Sequence, residues 1–262
     1  MIDETMESSE RNLEKEKETF EEAINRPVID IPTDFDIDAS NLLIDDLVAG
    51  KVFVLGEIHG VRENPSIVYT LIKRFKFTRL GMEWDKGLGR VTQLFMDDGV
   101  LDFNSIKNSS DGRISAGYFA LLKKLKAENL GTKTFFFDDK DSWTRRDEAM
   151  AEEIIGHTAD SSPTIAIAGR AHADLADIRE GDGTMHPSMV KFLEDKGKPF
   201  CNGEIRYLSG RYFSNQSKNF ENVLGGDISK ARFYRDEFGV YIFELPTASL
   251  ATVPNPTGIY IE

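Results

Sequence analysis

Two apolar runs in this chain end in the same way. Lys51-Val52-Phe53-Val54-Leu55 leads into Gly56, with His59 three residues on; Thr164-Ile165-Ala166-Ile167-Ala168 leads into Gly169, with His172 three residues on. Runs of this kind, rich in β-branched residues and without polar alternation, suit strands buried on both faces of a parallel sheet. Such sheets keep their functional groups in the crevice at the carboxyl ends of the strands. The repeated device therefore points to an α/β domain and to the place of its site.

The rest of the chain fits around these two strands. Asn64 to Phe75 carries Pro65 in its first turn and Ile67, Leu71, Ile72 and Phe75 on one face, which predicts a crossover helix. Further strands are expected at Arg79 to Asp85, Lys133 to Asp139 and Phe200 to Tyr207. Helices are expected at Ala39 to Leu47, Arg90 to Met96, Ala116 to Glu128 and Pro187 to Lys196. Another runs from Arg145 to Ile155, capped by Ser142 or Thr144 and stopped at Gly156. The alternation gives a mainly parallel central sheet with helices on both faces and a site at the C-terminal strand ends. Ser209 to Gly226, rich in Ser, Asn and Gly, reads as a long loop overhanging a pocket, and Phe238 to Leu245 as a last, antiparallel edge strand.

One α/β domain is expected over 39–262, preceded by an acidic helical or partly disordered arm and linker over 1–38. From Met1 to Arg26, nine acidic residues face four basic ones, with a thin apolar seam of Leu13, Phe20, Ala23 and Ile24. A protein partner for this arm is the one macromolecular contact the sequence suggests. The net charge of −13 argues against nucleic acid and anionic membranes, whose phosphates reward clustered Lys and Arg. The one cysteine, Cys201, has no partner for an internal disulfide, and no apolar stretch approaches the roughly 18 residues of a membrane span. With no apolar signal-peptide core near the start, the expectation is a cytoplasmic protein.

Four histidines are few enough to weigh singly. His59 and His172 follow strand-end glycines, where the chain turns sharply and can present a side chain to the crevice. His157 follows a helix stop and reads as a surface residue; His186, before Pro187 in a glycine-containing loop, is a reserve ligand or substrate contact. Glu57 lies between Gly56 and His59, and Glu83 ends the neighbouring strand. Carboxylates there are hydrated, metal-bound or paired, with Arg145, Arg146 and Arg170 as the available cations. Asp138 and Asp139 end another strand on the same edge and rank second. Cys201, inside a strand pattern, reads as a core residue.

Two mechanisms use this set. Two imidazoles and one or two carboxylates make an open divalent-metal site that activates water, with Mn, Co, Fe or Zn as the ion. Without a metal, His59 acts as general base towards water, a carboxylate orients it and an arginine faces the developing oxyanion. Serine-hydrolase elbows, phosphate-cradling loops and dinucleotide fingerprints are absent from the sequence.

Taken together, Gly56-Glu57-Ile58-His59, Glu83, Arg146-Asp147-Glu148-Ala149-Met150-Ala151 and Gly169-Arg170-Ala171-His172 resemble the superfamily of erythromycin esterases, ChaN-type haem-binding lipoproteins, TraB proteins and Tiki proteases. The resemblance spans Lys51 to Leu245. Its Tiki-like form implies that His59, Glu83 and His172 ligate a metal, with Glu57 beside them. Its esterase-like form implies that His59 is the water-activating base, Glu57 its acidic neighbour and His172 a second essential histidine. The expected activity is hydrolysis of an ester or amide in a small molecule or peptide by Glu57, His59, Glu83, His172 and Arg146. The competing expectation is a binding protein holding haem or another ligand, with His or Tyr as axial ligand; Tyr69, Tyr118, Tyr207 and Tyr212 are available, none of them marked by the sequence.

Overall fold

The computed structural model describes residues 19–107, 112–138, 145–179, 183–214, 216–220 and 230–254. Residues 1–18 of the arm, Asp139, Ser142, Thr144 and residues 221–226 of the expected loop lie outside the described residues.

Lys51 to Gly56 forms the centre of the sheet, as its composition requires. Strand β2 (Val52–Glu57) is buried at every position. It pairs in parallel with β5 (Thr164–Gly169) on one side and β8 (Phe200–Tyr207) on the other. Beyond β5 come β3 (Arg79–Asp85) and β4 (Lys133–Asp138), also parallel. The eight-stranded order is β1 (Thr33–Phe35), β11 (Ala231–Arg235), β12 (Tyr241–Leu245), β8, β2, β5, β3, β4, and β6 (Ile178–Arg179) pairs with β7 (Met185–His186) apart from it.

Strand alternation divides the core between two helical layers. Phe53, Leu55, Ile165 and Ile167 face α1 (Ile37–Val48), α2 (Asn64–Phe75), α3 (Leu88–Asp98), α4 (Phe103–Ile106) and α5 (Ala116–Ala127). Val52, Val54, Ala166 and Ala168 face α6 (Arg146–His157), α7 (Arg170–Ala173) and α8 (Met189–Asp195). Among the described residues no helix is long and apolar enough to cross a membrane.

Three expectations change. The last strand, β12 (Tyr241–Leu245), is interior and parallel to β8; the antiparallel neighbour is β11 (Ala231–Arg235), a short strand with Ala231 and Phe233 buried that was not expected from the sequence. The stretch after Tyr207 contains a hairpin, β9 (Gly210–Ser214) with β10 (Gln216–Phe220). From residue 19, the stretch read as arm and linker packs into the domain. Phe20, Ala23, Ile24 and Val28 are buried in the main core, and β1 (Thr33–Phe35) is the outer strand beside β11. Four apolar side chains were enough, because Phe20 meets Phe103 and Phe119 with ring centres 5.7 and 6.0 Å away. Smaller differences are at helix ends: Gly156 lies inside α6, and Ser188 caps α8 by accepting from Lys191 N–H.

Candidate functional site

Four adjacent strands deliver the site. The order β2-β5-β3-β4 places Glu57 and His59, Gly169 and His172, Glu83, and Asp138 side by side at the carboxyl edge. Gly169 has a role beyond turning the chain. A Cβ there would lie 2.8 Å from His59 Nε2, so only glycine lets the His59 ring cross the end of β5 towards Glu83 on β3. Its own N–H donates to Glu83 Oε2 at 2.5 Å.

Glu83 is the buried centre. Its Oε1 accepts from Arg146 Nη2 at 2.6 Å and Arg113 Nη1 at 3.0 Å. Asp138 accepts from the same two side chains: Oδ1 from Arg146 Nε at 2.7 Å, and Oδ2 from Arg113 Nη1 at 2.8 Å and Arg146 Nη2 at 3.1 Å. Two carboxylates and two guanidiniums thus alternate in a closed ring, the arrangement that offsets the desolvation of buried charge. Burial alone would raise the Glu83 pKa. The charges of His172, His59, Arg113 and Arg146 prevail and hold it far below the ordinary carboxylate range. Of the three expected cations only Arg146 reaches Glu83; Arg145 pairs with Glu148 and Arg170 with Glu204.

The two histidines flank this ring. His59 Nδ1 lies 3.0 Å from Glu57 Oε1, and its Nε2 lies 3.6 Å from Glu83 Oε2. The Tyr118 hydroxyl donates to Glu57 Oε2, so both oxygens of this buried carboxylate have partners. For His59, burial lowers the pKa, but the hydrogen bond to Glu57 and the charges of Glu83 and Glu57 outweigh it and the opposing Arg113, for a net rise. His172 Nε2 lies 3.7 Å from Glu83 Oε1 and its Nδ1 lies 2.7 Å from Asp147 Oδ1. Arg146 Nη1 stands 3.1 Å from His172 Nε2. A guanidinium only donates, so His172 Nε2 accepts and its proton sits on Nδ1, facing Asp147.

A small cavity beside His59 is lined by Glu57, Glu83, Trp84, Arg113 and Tyr118 among others; it offers about 10 Å³ to the centre of a water molecule. That is about what one water requires.

The loops are fixed by backbone contacts. Gly60 N donates to the Gly112 carbonyl at 3.1 Å, and the Gly60 carbonyl accepts from Phe213 N and Ala251 N, each at 3.0 Å. Gly60 has φ +77°, and a Cβ on it would collide with the Phe213 carbonyl. His59 and Arg113 are thereby held by one clasp. The Trp84 indole secures the second loop by donating to the Arg113 carbonyl at 3.0 Å.

All five expected site residues, Glu57, His59, Glu83, His172 and Arg146, converge. The metal set drawn from them does not fit a divalent ion. Both oxygens of Glu83 are taken by donors, His172 Nε2 is taken by Arg146, and a dication would face two fixed guanidiniums. Among the described residues no group of three His, Cys, Asp or Glu is arranged to hold a metal. The open space beside His59 is about one water in size, too small for haem at that point, and Tyr69, Tyr118 and Tyr207 donate to Glu128, Glu57 and Asn64. His186 stands 4.0 Å from Asp147 Oδ2, at the margin, and His157 is half-exposed at the far end of α6. Arg113 and Asp147 were missed as site residues, and Tyr118 was named only as an available haem ligand. Asp147 lies beside Arg146 in the quoted motif; Arg113 follows a loop glycine and has no other signal.

No family model matches the chain, and no curated protein matches its sequence. In structure it is similar to a crystallised Bacillus cereus protein, with a TM-score of 0.56 at 9% identity over 90% of this chain and 98% of that one. It is also similar to a succinoglycan biosynthesis protein, with a TM-score of 0.50 at 12% identity over 80% of this chain and 91% of that one. At such identities the likeness shows the α/β fold alone.

Proposed function

We propose that the chain is a hydrolase of esters or amides in which His59 activates water without a metal, as in the esterase-like branch of the superfamily it resembles. One observation carries the reading: His59 is held through Nδ1 by Glu57, while the ring borders a space that admits about one water. Glu57 accepts the Nδ1 proton and leaves Nε2 as the base. Tyr118 fixes the second oxygen of Glu57, so the carboxylate cannot rotate away.

Water entering beside His59 gives up a proton to Nε2 as its oxygen bonds the carbonyl carbon and the C=O π electrons move to oxygen; the tetrahedral intermediate then collapses, breaking the C–O or C–N bond, and the imidazolium returns its proton to the departing alkoxide or amine. The imidazolium so formed is stabilised by Glu57 and by Glu83, 3.6 Å from Nε2. Arg113, a cation that lines the cavity, faces the developing oxyanion. His172 holds Arg146, and with it the ring that fixes Glu83.

The test is a panel of chromogenic esters and amides, assayed with chelator-treated protein and with added Mn²⁺ or Zn²⁺. Turnover that survives chelation and is lost in His59→Ala supports the reading. Turnover that depends on added metal contradicts it. No turnover with any ester or amide, together with a saturable ligand at the same cleft, would favour a binding protein instead.

A further inference from the structure

Among the described residues ten large apolar side chains are exposed, and four of them, Ile37, Leu42, Ile44 and Val48, belong to one helix, α1. The end of this helix lies beside the starts of β2 and β12, at the edge of the sheet opposite the site. Asp46 of α1 joins it to the start of β12 by accepting from Tyr241 at 2.8 Å.

Helix α1 has two apolar columns. Ala39, Leu43 and Leu47 are buried against the sheet. Ile37, Ile44 and Val48 fall within about 40° of one another at 100° per residue, and they stay in solvent, Ile37 and Val48 at 75% and 83% exposure. Scattered exposed aliphatics need no explanation, but an aligned, unused column on one helix does.

Charge says what would cover it. Residues 27–50 contain six aspartates and no Lys, Arg or His. Asp30, Asp34 and Asp46 pair with Lys73, Lys230 and Lys51, and Asp36 caps α1. Asp38 and Asp45, seven residues apart and beside the apolar column, have no ion pair among the described residues. A second copy of α1 would set these aspartates against their own kind, and an anionic membrane or nucleic acid would be repelled.

We infer that α1 is a docking face for a basic amphipathic helix of another protein, with its apolar stripe on Ile37, Ile44 and Val48 and its Lys or Arg residues beside Asp38 and Asp45. The face is independent of the hydrolytic reading.

The probe is a fluorescein-labelled Leu/Lys peptide of about 14 residues, four helical turns, titrated with the full chain and followed by anisotropy. A peptide of equal charge with serine for leucine, and a Leu/Glu peptide, are the controls. Saturable binding of Leu/Lys alone is expected, about tenfold weaker for Ile44→Ser/Val48→Ser, and weaker with a flatter salt dependence for Asp38→Asn/Asp45→Asn. Circular dichroism checks that both double variants stay folded. The inference is overturned if the peptide does not bind, if the serine control binds as well, or if the double variants bind like the parent. Sedimentation showing a dimer that Ile44→Ser abolishes would overturn it in favour of a second copy.

Discussion

The end of β2 and the end of β5 carry the same sequence device and do different things. At β2 the histidine takes its carboxylate from its own strand two residues back, Glu57, and its ring borders a space for water. At β5 the histidine takes its carboxylate from a separate helix, Asp147 on α6, and its Nε2 is already occupied by Arg146. The same motif therefore yields a base at one strand and a support at the other. What separates them is whether a guanidinium reaches the ring, which the local sequence does not reveal.

The largest blow to this contrast is Glu83→Gln. It removes the anion that both histidines and both arginines share, and stability should fall by about 3–5 kcal/mol in denaturant unfolding, as for a broken buried pair. Since Glu83 is held below its ordinary value of 4.5, its stabilisation is present above that pH and fades as the pH falls. Next comes His59→Ala, which should leave the melting curve nearly intact and lower turnover by roughly 10²- to 10⁴-fold. His172→Ala should lower turnover less and stability more; equal losses of turnover at unchanged stability would erase the difference between the two strand ends.

The pH profile sharpens it. His59 is a base only when neutral and its pKa is raised, so kcat/KM should climb with pH through a midpoint above the ordinary 6.5. Glu57→Gln removes a group that favours the imidazolium and should move that midpoint down, along with a lower plateau. Asp147→Asn should leave the midpoint near that of the parent. The smallest effect is expected for Cys201→Ala. This thiol is buried and its pKa is pushed up by burial, so turnover should not change.

Much of this site was legible because strand ends are legible. Buried parallel strands announce themselves by composition, and Glu57, His59, Glu83 and His172 all stand at their ends, so topology alone gathers them. Arg146 and Asp147 came with a helix start. Arg113 was hidden because it reaches Glu83 from a loop fixed by Gly60–Gly112 backbone contact and by Trp84, none of which leaves a periodic trace. Metal ligation was a natural expectation from His and Glu alone. It weakens once Arg113 and Arg146 take up those acceptors. Strand β11 and the β9–β10 hairpin were lost in polar sequence, and Phe20 was discounted because an acidic stretch can still supply one anchoring ring.

The most direct measurement is a long-range ¹H–¹⁵N spectrum of the imidazole rings, recorded above the His59 midpoint with and without one equivalent of Zn²⁺. A metal-free site predicts protonated Nδ1 and unprotonated Nε2 in both His59, held by Glu57, and His172, held by Arg146, with resonances that ignore the metal. Nε2 signals of both rings moving together to metal-bound positions would contradict the arginine-held site and restore a shared metal centre.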